Sequence, residues 1–202
     1  DHLRSPRITT IEDYYETYYV PNNMAIVISG DIDIEKTARI IAEKFSYMEP
    51  GEIPDPPDWN EPPVEKVRRV ELQYPGEEEV QIAFRTKPIG HPDRAALQIL
   101  DMIMDNQTAG LINLNLNQAQ KVRRAGSFPL IDVDHGTQYL YGVPKEGQTL
   151  EEVEQLLLDQ IDLIKAGEFE EWLIDAIVND FFKTEQLALE QNASRVEKVR
   201  DA

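Results

Sequence analysis

Residues 17–33 read TYYVPNNMAIVISGDID. Met24 to Ser29 is a continuous apolar run of strand length, rich in Ile and Val, and predicts an interior strand covered on both faces. Pro21-Asn22-Asn23 breaks whatever precedes it. Asp33 is a good helix N-cap, and Ile34, Ala38, Ile41, Ala42 and Phe45 form the apolar stripe of the helix it would start. Gly30-Asp31 therefore reads as a strand-to-helix corner, where Gly30 can take a backbone conformation that would cost a residue with a side chain.

Upstream, Thr9-x-x-Glu12 is a capping-box pattern. Ile11, Tyr14, Tyr15, Tyr18 and Tyr19 follow at helical spacing and predict a packed helix face. Downstream, residues 50–63 carry six prolines and predict an extended surface connection, with Trp59 anchoring it on the core. Val64 to Leu72 and Val80 to Phe84, joined through Pro75-Gly76, predict a hairpin. Pro92-Asp93 opens a helix with Ala96, Leu97, Leu100, Ile103 and Met104 inward. Ser127 to Val133 and Tyr139 to Val143 read as two more strands. Thr149-x-x-Glu152 is a second capping box before the stripe Leu150, Val153, Leu157, Ile161 and Ile164, which Gly167 ends. A long helix follows from Glu168, with Phe169, Trp172, Leu173, Ala176, Ile177 and Phe181 on one face. The order predicts an α+β fold, a mostly antiparallel sheet with helices packed on one face, in a single domain over 1–202 with the Pro-rich connection at 50–63.

Composition removes several functions. The formal charge is −18, from 38 acidic and 20 basic residues, which argues against nucleic acid as a partner. The chain has no cysteine, so thiol catalysis, thiolate metal sites and disulfides are excluded. No stretch approaches the roughly 20 apolar residues of a membrane span. The start at Asp1 and the end at Ala202, in mid-pattern, suggest a piece of a longer protein.

Chemistry-bearing motifs are few. The three histidines, His2, His91 and His135, make neither HExxH nor HxxEH. No phosphate-binding GxxxxGK[ST] loop and no GxSxG elbow occur. Asp132-Val-Asp134-His135-Gly136 is the one polar cluster combining acid, base and metal-ligand types. It suits a turn between strands; the competing reading is an independent hydrolase using Asp132, Asp134 and His135. From the residues, the expectation is no catalytic residue and no metal ligand in this chain.

Residues 2–33, HLRSPRITTIEDYYETYYVPNNMAIVISGDID, resemble the stretch that follows the catalytic domain in M16 (insulinase or pitrilysin-type) zinc peptidases, in the Bacteroidetes-type variant. The shared pattern is a helix, Tyr19-Val20-Pro21-Asn22-Asn23, an apolar strand and Gly30-Asp31. AALQILDMI at 95–103 is similar to the family's helix after the second hairpin, and GVPKEGQTLEEV at 142–153 to its strand, loop and helix before the C-terminal helices. The resemblance implies the M16 metallohydrolase fold, shared by LuxS and the mitochondrial processing peptidases. It implies the non-catalytic C-terminal M16 domain, partnered by a catalytic domain of the same parent and helping to wall a chamber for peptide substrate. The alternative it leaves is an inactive partner or assembly module. Zinc would belong to the parent's HxxEH domain, and the parent to the periplasm or cell envelope. By the same resemblance, Leu111 to Gln118 should be helical despite its strand-like alternation, and Leu116, Arg123 and Arg124 loosely match a Leu-x-x-x-Leu-Arg pattern. Some family halves hold substrate with an Arg-Tyr pair; no tyrosine follows Arg195, so that role does not transfer.

Overall fold

Strands β1 (Val80–Thr86), β2 (Arg124–Ile131) and β3 (Gly136–Val143) form an antiparallel sheet in the order β1-β3-β2. These assignments come from a computed structural model, which describes residues 4–57, 61–106 and 108–200. The described chain falls into two units, Pro63–Lys183 and Asp1–Pro62 with Thr184–Ala202.

The sheet belongs to the first of these. Register pairs Ile82 with Leu140 and Ser127 with Leu140 from the two sides, so these residues share one face of the sheet. Along β3, Gly136, Gln138, Leu140 and Gly142 alternate as buried positions on that face. Helices α3 (Arg94–Met104) and α4 (Leu150–Ala166) cover it. Met104, Ile112, Leu116, Val122, Leu140, Val153 and Leu157 form the main core cluster. Each such side chain contributes about 1.5–3 kcal/mol on removal from water. Gly142 sets how close α4 can come: a Cβ there would lie 2.4 Å from Val153 Cγ1. A second cluster, Ile103, Leu111, Leu173 and Ile177, holds the start of α5 (Trp172–Ala188).

Local signals explain the ends of α4. The Thr149 hydroxyl accepts from the Glu152 N–H, and the Glu152 carboxylate accepts from the Thr149 N–H, completing the expected capping box. Gly167 adopts the left-handed conformation at φ 71° and ends the helix. Leu111 to Gln118 is helical as expected: its first two residues lead into a π-helical segment, Asn113–Gln118. The wide turn puts Leu116 in the core and leaves Asn117 at the margin.

Val64 to Leu72, expected as the first arm of a hairpin, forms no strand. Val64, Val67, Val70 and Leu72 are all exposed. Instead Arg69 makes a two-pronged pair with Glu154 on α4, at 2.7 Å for each bond. Five charged residues among nine, with apolar residues on both alternation phases, leave no single face to bury.

The second unit holds α1 (Ile8–Tyr18), a 3₁₀ turn (Pro21–Asn23), α2 (Ile34–Phe45) and α6 (Asn192–Arg200). None of its described residues is buried. Here the expected interior strand is corrected. Met24 to Ser29 pairs with no strand, and Met24, Ile26 and Ile28 are 46%, 49% and 46% exposed. An apolar run records a tendency to be buried, but a strand also needs a neighbour for its N–H and C=O groups. The Thr9 capping box is also absent: α1 starts at Ile8 behind Arg7, with no side-chain cap. Its tyrosines are half-exposed and pair along the chain, Tyr14 tilted against Tyr18 and Tyr15 stacked on Tyr19, each pair with centroids 4.6 Å apart. They decorate the helix where a packed face was expected. The Asp33 cap does form, accepting from the Lys36 N–H at 2.9 Å. Gly30 has φ 157°, which side-chain-bearing residues rarely adopt, and Gly30-Asp31 is a bend before that helix. Asn22 exchanges two hydrogen bonds with the Gly51 backbone, tying the start of the Pro-rich connection. Trp59, its expected anchor, lies outside the described residues.

Candidate functional site

The chemistry of the sheet concentrates along the outer edge of β2. Asp101 and Asp105 stand one helical turn apart at the end of α3 and point at this edge. Asp101 Oδ1 accepts from Ser127 Oγ at 2.9 Å and from Gln138 Nε2 at 2.6 Å. Asp105 Oδ2 accepts from the Ser127 N–H at 3.1 Å. Burial pushes the Asp101 carboxyl above its ordinary value, the neighbouring Asp105 charge adds to this, and the two donated hydrogen bonds partly oppose it.

Asn117 completes the edge. Its Oδ1 accepts from the Ala125 N–H and its Nδ2 donates to the Ala125 carbonyl, both at 2.8 Å. A side-chain amide carries one donor and one acceptor group on the same plane, so it occupies the slot of a neighbouring strand residue. Along an antiparallel strand, alternate residues aim outward. Here these are Ala125, held by Asn117; Ser127, held by Asp105; Pro129, which has no N–H; and Ile131 at the end of the strand.

Gly126 lets two side chains close over this edge. A Cβ there would lie 2.7 Å from the Tyr141 hydroxyl and 2.8 Å from Asp105 Oδ2, so only glycine lets both groups approach. Beside them is a cavity of about 570 Å³ lined by Asp101, Asp105, Asn113, Asn117, Phe128 and Tyr141, among others. Its aromatic wall continues onto the face of the sheet opposite α3 and α4. The Phe128 ring stacks on Tyr139 with centroids 5.2 Å apart, and the Arg124 guanidinium sits 5.7 Å over the Tyr141 ring.

Ser127 donates its hydroxyl to the Asp101 carboxyl, with no histidine between them. The sequence-predicted cluster does not join it. Asp132, Asp134 and His135 occupy the short turn between β2 and β3, where the Asp132 carbonyl accepts from the Ile89 N–H at 3.0 Å. His91 accepts from the Asp93 N–H through Nδ1 at 3.1 Å and shapes the start of α3. Among the described residues, no three of His, Cys, Asp or Glu come together to hold a metal. A catalytic zinc needs about three such ligands converging on one open position, and the described residues do not supply that set. Arg195 donates to the Leu189 carbonyl and to Asn192 Oδ1, bracing the entry to α6. Leu116 is core, Arg123 pairs with Glu77, and Arg124 lies on Tyr141. Asp101, Asp105, Asn117 and Gly126 were not singled out from sequence. The available signal was an aspartate four residues beyond Leu97, bordering the apolar stripe of α3.

Comparison with known proteins adds three findings. The sequence matches the family described as the peptidase M16 inactive domain over residues 8–181. It is 25% identical to a probable zinc protease PqqL of Haemophilus influenzae over 130 residues, which is 62% of this chain and 14% of that protein. The fold matches the crystal structure of a protease from Helicobacter pylori with a TM-score of 0.79 at 16% identity, over 95% of this chain and 48% of that one. The chain thus spans less than half the length of either relative.

Proposed function

The chain belongs to the peptidase M16 inactive-domain family, and from this premise we propose that it works as one non-catalytic domain of a longer zinc peptidase, walling the space where peptides bind. The observation that carries this reading is the family match over residues 8–181, in a chain whose three histidines make neither zinc motif. The face of the sheet opposite α3 and α4 supports it. Phe128 and Leu130 project from that face half-exposed, beside Tyr139 and Tyr141, as a surface for extended chains. In this reading the zinc and its HxxEH ligands lie in a partner domain of the same parent, and this domain contributes shape and contact. None of its residues supplies a step of the hydrolysis.

The test is a metal and peptide assay on the 202-residue chain. Dialysed protein should retain far less than one equivalent of zinc and leave a peptide library intact, while retaining peptides on a column. Equimolar zinc, or chelator-sensitive cleavage lost in His135→Ala, would overturn the proposal.

A further inference from the structure

We propose that the stretch from Val64 to Tyr74 is a processing site, cut after Arg68 by an endopeptidase of the trypsin class, one that reads a basic side chain in an acidic pocket.

An endopeptidase takes its substrate as an extended chain whose N–H and C=O groups are free to pair with the enzyme. Residues 64–73 lie in neither helix nor strand and are exposed throughout. Among the described residues, none of their backbone groups bonds to another backbone group. Val67 and Leu72, 83% and 77% exposed, show how little covers the segment. The basic residues Lys66, Arg68 and Arg69 stand inside it, between Pro63 and Pro75, with no proline among them. Proline lacks the N–H and fixes φ, so it spoils the fit of a chain around a scissile bond. The adjoining connection at 50–63 has six prolines and neither lysine nor arginine, and gives such an enzyme nothing to read.

Arg68 and Arg69 differ in freedom. Two 2.7 Å bonds tie the Arg69 guanidinium to Glu154 on α4, whereas Arg68 has no hydrogen bond or ion pair among the described residues. Basic residues elsewhere stand in bonded structure: Arg39 and Lys44 in α2, Arg94 in α3, Lys165 in α4, and Lys121 with its N–H on the Leu116 carbonyl at 2.8 Å. Those segments must open before a protease can take them. Hydrolysis adds water across the Arg68–Arg69 peptide bond and leaves a carboxylate on Arg68 and an amine on Arg69, with no change of oxidation state. Residues 69–202 keep all three strands and both core clusters, and every buried described residue lies between Ile103 and Ile177. The Arg69–Glu154 pair holds the new amino terminus at α4.

The experiment digests the full chain with trypsin at a low enzyme ratio and follows intact masses over time. The first products should be residues 1–68 and 69–202, formed about tenfold faster than any others, because competing sites wait on local opening. The larger product should resist further digestion. Glu154→Gln, which releases Arg69, should raise cleavage after Arg69 several-fold and leave cleavage after Lys66 unchanged. A variant carrying Lys66→Gln, Arg68→Gln and Arg69→Gln should lose the trypsin nick, while an elastase-type enzyme still cuts beside Val67. First cleavage outside Lys66 to Arg69 would overturn the site. First cleavage after Lys66 or Arg69 would overturn the assignment to Arg68. Resistance of the unaltered segment to both enzymes would overturn its openness as well.

Discussion

Helices α2 and α4 are built alike and end differently. Each starts at a side-chain N-cap, Asp33 and Thr149, and each carries an apolar stripe at helical spacing. On α4, Val153 and Leu157 are wholly buried; on α2, Ile34 is 77% exposed and Phe45 43%. The same contrast holds for the units around them, since every buried apolar residue lies in Pro63–Lys183. Amphipathic pattern decides which face of a helix can be covered. It does not supply the cover.

The comparison can be broken most directly at Leu157. Leu157→Ala should cost about 2–5 kcal/mol by cavity formation. Denaturant unfolding would measure it, and a loss below a kilocalorie would erase the distinction between the two helices. Gly142→Ala should cost about 1–3 kcal/mol, because the added Cβ meets Val153 Cγ1 at 2.4 Å and α4 must lift. A smaller helix-facing partner, Val153→Ala, should recover part of that loss in the double variant. A pH series sharpens the picture at Asp101. Its folded-state value is raised, so the folded form holds the proton where the unfolded chain has released it. Its contribution is full below the ordinary aspartate range and is lost as pH rises through the raised value. Asp101→Asn should flatten that decline, and unchanged slopes would count against the burial of this carboxyl. The smallest effect belongs to the other unit: Ile26→Ala should shift stability by no more than about 0.5 kcal/mol, as surface changes do. A core-sized loss there would mean that Met24 to Ser29 is covered after all.

Features closed within a few residues were legible in the sequence. The Thr149–Glu152 box, the Gly167 stop and the stripe of α4 each depend on neighbours in the chain, and all formed. Features that depend on a distant partner were not. Met24 to Ser29 and Val64 to Leu72 have strand composition, yet pairing requires a second segment that spacing cannot name. Thr9 matched a box by residue type, while the helix began two residues earlier than that box requires and left it inside the first turn. The family resemblance correctly made Leu111 to Gln118 helical where alternation suggested a strand. The candidate site stayed hidden for the same reason of distance. Asp101 and Ser127 are 26 residues apart, Asp105 and Ser127 22, and Asn117 reaches Ala125 from a π-helical segment that no short pattern announces.

The side chains laid along β2 have a consequence for how copies of this sheet can associate. A monomer that polymerises needs two reactive ends; a monomer with one can only form a pair. β1 is the other edge of the sheet and has no second strand among the described residues. At β2, the Asn117 amide, the Asp105 carboxylate and the missing N–H of Pro129 occupy the outward positions. In the language of polymer chemistry β2 is a capped end from Ala125 to Pro129, and edge-to-edge growth of a fibril is disfavoured there.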